Sequence, residues 1–485
     1  MTDTVMMWFR TDLRVHDNPA LYHACQQGLP VIAVVFETPL QWQQHGLGAR
    51  KINLMRAAMH SLRTQLARLG IPLLIEPVTD FTASRERLLQ LVQHLRVRQL
   101  FFNNEYEVNE RKRDILLSRT LGSLGVTVQR FHDQCLLAPG SVNNKSGLPF
   151  RVYTPFRKAW LPLAAPELRA PLPAPAAQPM PTLPALPATA ISEPLPAISA
   201  DPLWSASEDD AHQQLTGFLQ QRVRRYAQER DFPGIDTTSR LSVPLSIGLL
   251  SPRQCLFAAS ALNDGCLDGG KTGVQTWINE LIWREFYRHL LVAFPDLCKH
   301  KAFKPETEVI RWRDAPEELA AWCEGRTGYP IVDAAQQQLV QEGWMHNRLR
   351  MISAMFLTKH LLIDWRHGEA FFNQYLMDAD LASNNGGWQW SASTGADGAP
   401  WFRIFNPLLQ SRKFDTDGAF IARYVPSLAT LPADSRHEPD GLQRRRCGYP
   451  QAIVEHSFGR QRALDAFAVL GKPVTDPADH PELPL

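Results

Sequence analysis

The hydrophobic positions of the first 135 residues follow two rhythms. Short β-branched and apolar runs at 5–9, 31–36, 73–75, 100–102 and 126–128 have the length and near-continuous apolarity of strands buried on both faces. Between them, apolar residues recur at three- and four-residue steps. Ile52, Met55, Met59, Leu62, Leu66 and Leu69 draw one face of a helix, and 83–95 and 108–122 carry similar patterns. Asn18-Pro19 places an N-cap before a proline at the first helical position. Strand and helix in alternation predict a parallel sheet with helices on both faces, a Rossmann-like α/β domain. Beyond about 205 the strand rhythm stops. Helical spacing predicts 209–229, 252–262, 273–293, 316–323, 330–341, 346–362 and 367–376, and Ser251-Pro252 repeats the N-cap and proline pair. The second half is predicted all-α.

Composition alters this picture in the middle of the chain. Of 37 prolines, 11 fall between Pro162 and Pro196. The Ala/Pro/Leu-rich stretch 161–202 is therefore expected to be an extended, partly polyproline-like connector over the surface. Four parts result: 1–135, α/β; 136–204, connector; 205–457, helical; 458–485, tail. No Gly-x-Gly-x-x-Gly follows the first strand, where the chain reads Trp8-Phe9-Arg10-Thr11-Asp12-Leu13-Arg14, so a dinucleotide held in the usual way is not expected there. No run of 18 apolar residues suggests a membrane span, and no secretory leader is recognisable. Seven scattered cysteines without a Cys-x-x-Cys pair fit reduced thiols in the cytoplasm and offer neither a zinc site nor a disulfide framework. Net charge is +2, split into 21 basic against 14 acidic side chains up to residue 200 and 30 against 35 after it. Any nucleic-acid contact in the second half must come from a local patch.

Nine of 13 tryptophans lie between Trp277 and Trp401, in a region dense with candidate chemistry. On a helix, Trp277, Glu280, Arg284 and Tyr287 share a face that could hold a planar polar ligand, or could be a surface ion pair beside core aromatics. Thr237-Thr238-Ser239-Arg240-Leu241-Ser242 offers hydroxyls, backbone N–H groups and a charged fork to phosphate oxygens, and is also ordinary loop composition. The helix opening at Gly343-Trp344-Met345-His346-Asn347-Arg348-Leu349-Arg350-Met351 puts two arginines on different faces, one to bury and one to show. Asp378-Ala379-Asp380, followed by Asn384-Asn385-Gly386-Gly387-Trp388-Gln389-Trp390, could hold Mg²⁺ beside a sugar nucleotide, or accept hydrogen bonds from ribose or a flavin ring.

In this order, the motifs at 277–288, 343–351 and 378–390 resemble the flavin-domain signatures of the photolyase/cryptochrome family. The opening Trp8-Phe9-Arg10-x-Asp12-Leu13-Arg14-x-x-Asp17-Asn18 is similar to that family's first motif. The likeness covers nearly the whole chain and is strongest to class I, folate-type photolyases of cyclobutane pyrimidine dimers. It implies FAD in the helical domain, with Tyr226, Thr238, Ser239, Arg240, Leu241 and Ser242 at its ribityl–phosphate part. Trp277, Arg284, Asn347, Asp378, Ala379 and Asp380 would line the remainder. The family's reaction is light-driven electron transfer from reduced FAD to a flipped-out dimer.

The resemblance also implies residue roles. Asn384 stands where the family faces flavin N5; plant cryptochromes carry an acid there and animal ones a cysteine, and asparagine fits a repair-competent flavin. Related (6-4) enzymes place histidines where this chain has Asn347 and Met351, so cyclobutane dimers are the expected substrate. Trp283 and Trp390 resemble the indoles that sandwich the dimer, and Glu280 would bond its pyrimidine edges. Arg230, Arg284, Tyr287, Asn347, Arg348, Arg403 and Gln410 match positions that contact DNA or rim the pocket. Trp388, Trp365 and Trp312 match an electron-hopping chain. His45, Asn109, Glu110, Cys298 and Lys299 resemble residues around an antenna pigment in an antenna domain at 1–135, expected to be methenyltetrahydrofolate. The implied protein is a monomeric, cytoplasmic lyase acting on dimer-containing DNA, without a metal. The alternative is a blue-light receptor without repair activity, which would typically have a longer C-terminal extension.

Overall fold

The structure, a computed structural model, describes residues 3–188, 195–396 and 403–471. Five strands form one parallel sheet: β1 (Thr4–Phe9), β2 (Val31–Glu37), β3 (Leu73–Pro77), β4 (Val97–Asn103) and β5 (Thr127–Phe131). Their order is β3-β2-β1-β4-β5, the doubly wound arrangement that alternation predicted. Val5 stands opposite Val31 and Met7 opposite Ala33, and every residue of β1 and β2 is buried, which accounts for their continuous apolar runs. The helix Pro19–Cys25 is capped as expected, Asn18 Oδ1 accepting from the Leu21 N–H at 3.1 Å.

By compactness the chain divides into two units. The first gathers the described residues up to Phe150, Pro155–Ala227 and Ser239–Pro295; the second gathers Arg151–Thr154, Gln228–Thr238 and those from Asp296 on. The helices Glu208–Gln221, Pro252–Leu262 and Thr272–Ala293 thus pack in the same unit as the sheet. Buried polar bonds explain the grouping. Arg14 donates to the Gly248 carbonyl at 3.1 Å and to Asp133 at 2.5 Å. Glu285, 2% exposed, accepts from the Leu136 and Leu137 N–H groups at 2.8 and 2.9 Å and from Trp160 Nε1 at 2.6 Å. Gly248, at φ +76°, has no room for a side chain: a Cβ there would lie 2.2 Å from the Thr11 carbonyl oxygen.

The connector requires a correction. Residues 161–167 are not extended but complete the helix Tyr153–Glu167, whose Phe156, Trp160 and Ala164 are buried at four-residue steps. Burial of that stripe outweighs two interior prolines. From 168 to 188 and 195 to 207 no helix or strand occurs, and the segment is strapped down through its carbonyls. Arg87 donates to Pro187, His94 contacts Ala185, and Asn53 donates to Ser199, at 2.6–2.8 Å.

The second unit is helical around a core that includes Trp322, Ile331, Leu339, Leu349, Phe356, Trp365, Phe372 and Trp388. The predicted helix 346–362 is regular only over Asn347–Met355 and then widens into a π-turn, Phe356–His360. The predicted 209–229 is likewise broken after Gln221. Helices at Leu381–Ala392, Pro407–Phe414 and His456–Ala468 had no predicted counterpart.

Candidate functional site

In the first unit, the helix Thr272–Ala293 is buried over most of its surface, but Glu280, Trp283, Arg284 and Tyr287 form a half-buried stripe. Arg284 is fixed by backbone carbonyls, donating to Gln134 at 2.7 Å and Leu245 at 3.4 Å. Trp283 meets Phe286 edge-on, with centroids 5.7 Å apart. Trp277 is buried against Phe218 at 5.0 Å, and Phe218 meets Tyr226 edge-on at 5.8 Å. Phe218 thereby joins two predicted residues, a role its own helical spacing did not reveal. Arg240 adopts φ +53°, and Ser239 Oγ accepts from the Leu241 N–H at 3.3 Å just before the helix Ser242–Ile247. A left-handed residue in such a turn sets successive N–H groups into a concave row suited to an anion. Thr238 lies in the second unit, beside buried Thr237, which donates to the Glu229 carbonyl at 3.3 Å.

In the second unit, Asp378 and Asp380 do different work, contrary to a shared Mg²⁺ site. Asp380 caps the helix Leu381–Ala392, accepting from the Ser383 N–H at 3.3 Å and its hydroxyl at 2.5 Å. Asp378 Oδ2 accepts from Arg350 at 2.8 Å, while its Oδ1 is buried without a hydrogen-bond partner. Ala379 is buried between them. A buried carboxylate oxygen left unpaired is costly unless a ligand supplies the donor. Asn384 donates from Nδ2 to the Glu369 carbonyl at 3.0 Å, which leaves Oδ1 as its acceptor. Glu369 is itself locked by Asn385 at 2.9 Å and His300 at 2.7 Å, the latter contact raising the His300 pKa. A Cβ on Gly387 would meet nothing within 4 Å, so there is open space on the helix one turn from Asn384. These features fit a flat, hydrogen-bonding cofactor such as FAD.

The two arginines of the helix Asn347–Met355 do not divide into one buried and one exposed. Arg348 and Arg350 are both partly covered; Arg348 pairs with Asp231 at 2.9 Å and stacks 4.4 Å from the Phe414 ring. Arg230 reaches the same Asp231 at 3.9 Å. Asn347 Nδ2 lies 3.9 Å from Met351 Sδ, and Arg403 sits 5.4 Å over the Trp390 ring. Gln410 is buried with Oε1 unpartnered. Trp388 packs edge-on against Phe372 at 4.9 Å and Trp322 at 5.9 Å. Trp365 is buried under Arg366, and half-buried Trp312 meets Phe467 edge-on at 6.1 Å. Trp401 falls outside the described residues.

Three antenna candidates converge in the first unit. His45 lies 2.8 Å from Gln41 Nε2, 3.4 Å from Asn109 Nδ2 and 3.7 Å from Glu110. Burial, reinforced by Glu107 and Glu105, pushes the Glu110 carboxyl up to about 8, and its Oε2 is buried without a hydrogen-bond partner. A carboxyl that stays protonated at neutral pH is a hydrogen-bond donor. Cys298 and Lys299 belong to the second unit, where exposed Lys299 pairs with Asp296 at 2.8 Å.

Residues 277–469 match the family described as the FAD binding domain of DNA photolyase, and residues 5–176 match DNA photolyase. The chain is 46% identical to the deoxyribodipyrimidine photo-lyase of Escherichia coli, covering 97% of this chain and 99% of that one. Among solved structures, a bacterial class III photolyase from Agrobacterium tumefaciens superposes with a TM-score of 0.84 at 35% identity, covering 97% and 98% of the two chains. A Synechocystis cryptochrome superposes with a TM-score of 0.86 at 26% identity, covering 96% and 99%. With this similarity running through both units, the chain belongs to the DNA photolyase family.

Proposed function

We propose that this chain repairs cyclobutane pyrimidine dimers in DNA, using light and a resident FAD, as a cytoplasmic monomer. The observation that carries the reading is the likeness to a deoxyribodipyrimidine photo-lyase over 97% of the chain. The site chemistry supports it. A neutral carbon–carbon ring offers no proton to remove and no good leaving group, and the site is accordingly rich in aromatic and amide groups rather than acid–base pairs. When bound, reduced and excited, FAD supplies one electron that opens the dimer and takes it back afterwards.

The chain's residues position the partners. Asp378 Oδ1 accepts from the cofactor, with Arg350 holding the carboxylate in register. Asn384, its N–H committed to the Glu369 carbonyl, turns Oδ1 towards the ring. Tyr226 and the 238–242 turn hold the ribityl–phosphate end, and Trp277 and Arg284 line the remainder. Trp283 and Trp390 stack on the extruded bases, Glu280 accepts from their edges, and Asn347 and Met351 border the pocket. Arg230, Arg348 and Arg403 anchor the phosphate backbone. Trp388, Trp365 and Trp312 carry electrons inward when the cofactor is oxidised. Glu110, His45 and Asn109 bind a folate antenna, with protonated Glu110 donating to it.

Blue light on purified holoenzyme with dimer-containing DNA, against a dark control, tests the reading. Light-dependent loss of dimers is expected. Binding without loss would indicate a receptor, and absence of both would overturn the assignment.

A further inference from the structure

We propose that His16, Glu208 and His212 form a site for one divalent transition-metal ion of the zinc or nickel type. The three lie together within the first unit, and none of them has a role in cofactor or DNA binding. One ligand atom from each falls within 4.8 Å of the other two. Glu208 and His212 are one turn apart on the helix Glu208–Gln221, so their side chains share a face. His16 comes from the loop after β1, its side chain about half exposed and therefore reachable by an ion.

The carboxylate is already aimed. Glu208 is 1% exposed, and its oxygens accept from the backbone N–H groups of Val15 at 2.9 Å and His16 at 3.0 Å. Such outer hydrogen bonds fix a ligating carboxylate and are part of a metal site's design. The His16 ring stands 2.8 Å from Glu208 Oε1 and edge-on to His212, centroids 5.7 Å apart. Gln254, its carbonyl oxygen held by the Ser251 N–H at 2.8 Å, donates from Nε2 to His212 Nε2 at 3.0 Å, a bond that His212 gives up when one of its ring nitrogens takes the ion.

Two imidazoles and one carboxylate suit zinc, nickel or copper rather than magnesium or calcium. Bonds of roughly 2.0–2.1 Å set neighbouring ligand atoms about 3.3 Å apart, so the His16 ring must open its 2.8 Å contact with Glu208 while any wider pair closes, movements that the partly exposed His16 and His212 rings can make. Loading replaces the proton shared by His16 and Glu208 with the ion, and that proton leaves to solvent. Water completes the coordination.

The test is calorimetric titration of nickel(II) into chelator-stripped, tag-free holoenzyme. One equivalent is expected to bind, and His16→Gln or His212→Gln each to weaken it at least about tenfold. His212 lies half-buried on a helix surface, so His212→Gln decides the matter if the loop variant folds poorly. The seven free cysteines offer competing thiolates. Binding that survives in the double histidine variant would therefore belong to them and overturn the proposal, as would no binding to the parent chain.

Discussion

Gly368 faces the indole of Trp388 within the second unit. A Cβ at this position would lie 2.1 Å from Trp388 Cη2 and 2.4 and 2.6 Å from Cζ3 and Cζ2. Carbon pairs rest at about 3.5–4.0 Å, so Gly368→Ala requires the ring to retreat by roughly 1.4 Å. It has nowhere to go: Trp388 is 2% exposed and is walled in by Phe372 and Trp322. Overpacking of a tight core costs about 1–3 kcal/mol, and this displacement belongs at the upper end. Against it stands about 1 kcal/mol gained by alanine over glycine inside the helix Trp365–Tyr375. The expected balance is a loss of ~2 kcal/mol, or about 4–8 °C in the thermal midpoint of the second unit, a transition of roughly 200 residues. Differential scanning calorimetry at fixed, saturating FAD reads the midpoint, and cofactor photoreduction reads any shift of Trp388. An unchanged or raised midpoint would mean that helix propensity outweighs the contact and that the space beside Trp388 is slack.

Three further outcomes are expected. Trp312→Phe leaves repair by pre-reduced enzyme intact and slows photoreduction; equal photoreduction rates by transient absorption would remove Trp312 from the electron chain. Arg403→Ala weakens binding to damaged duplex and lowers the slope of log affinity against log salt by about 1, and an unaltered slope in a fluorescence titration would take Arg403 off the phosphate backbone. His346 is buried, which holds its pKa down to about 3, so below the ordinary value near 6.5 the unfolded chain takes up a proton that the fold refuses. Stability therefore falls as pH drops from 6.5 towards 3, by at most ~1.4 kcal/mol per pH unit from this group. His346→Asn keeps an N-cap acceptor for the Arg348 N–H while removing the titration, so chemical denaturation at stepped pH is expected to show a shallower acid decline. The same slope as the parent would place the acid sensitivity elsewhere.

β1 and β2 were legible because they are buried along their whole length and their apolar runs are uninterrupted, whereas the edge strand β5 has no fully buried residue and showed only as Val126–Val128. Helices with a clear apolar stripe were legible for the same reason. Leu381–Ala392 was not, because two asparagines and two glycines dilute its propensity and tertiary contacts impose the helix. That same composition nevertheless marked the segment as close to a flat ligand. The sharing of one compact unit by the sheet and the helix Thr272–Ala293 was out of reach, since it rests on lone long-range bonds such as Arg284 to Gln134 and Leu136 to Glu285. The orphan oxygen of Asp378 and the protonated Glu110 depend on burial, which spacing does not encode. Motif order located the residues; only the packed chain says which of their atoms are already committed.

Neither compact unit is a continuous stretch of sequence. The chain enters the second unit at Arg151, leaves at Pro155, returns for Gln228–Thr238 and settles there only from Asp296. During synthesis the sheet strands have all emerged by Phe131, yet the first unit waits for Pro295 and the second holds an early segment idle until its late helices exist. Contacts so distant in sequence make folding slow and leave apolar surface uncovered meanwhile. No single cut divides this polypeptide into two independently folding halves: a break after Pro295 spares the first unit but strips the second of residues 151–154 and 228–238. Split-protein or domain-swap engineering of this scaffold would have to move three pieces, not one.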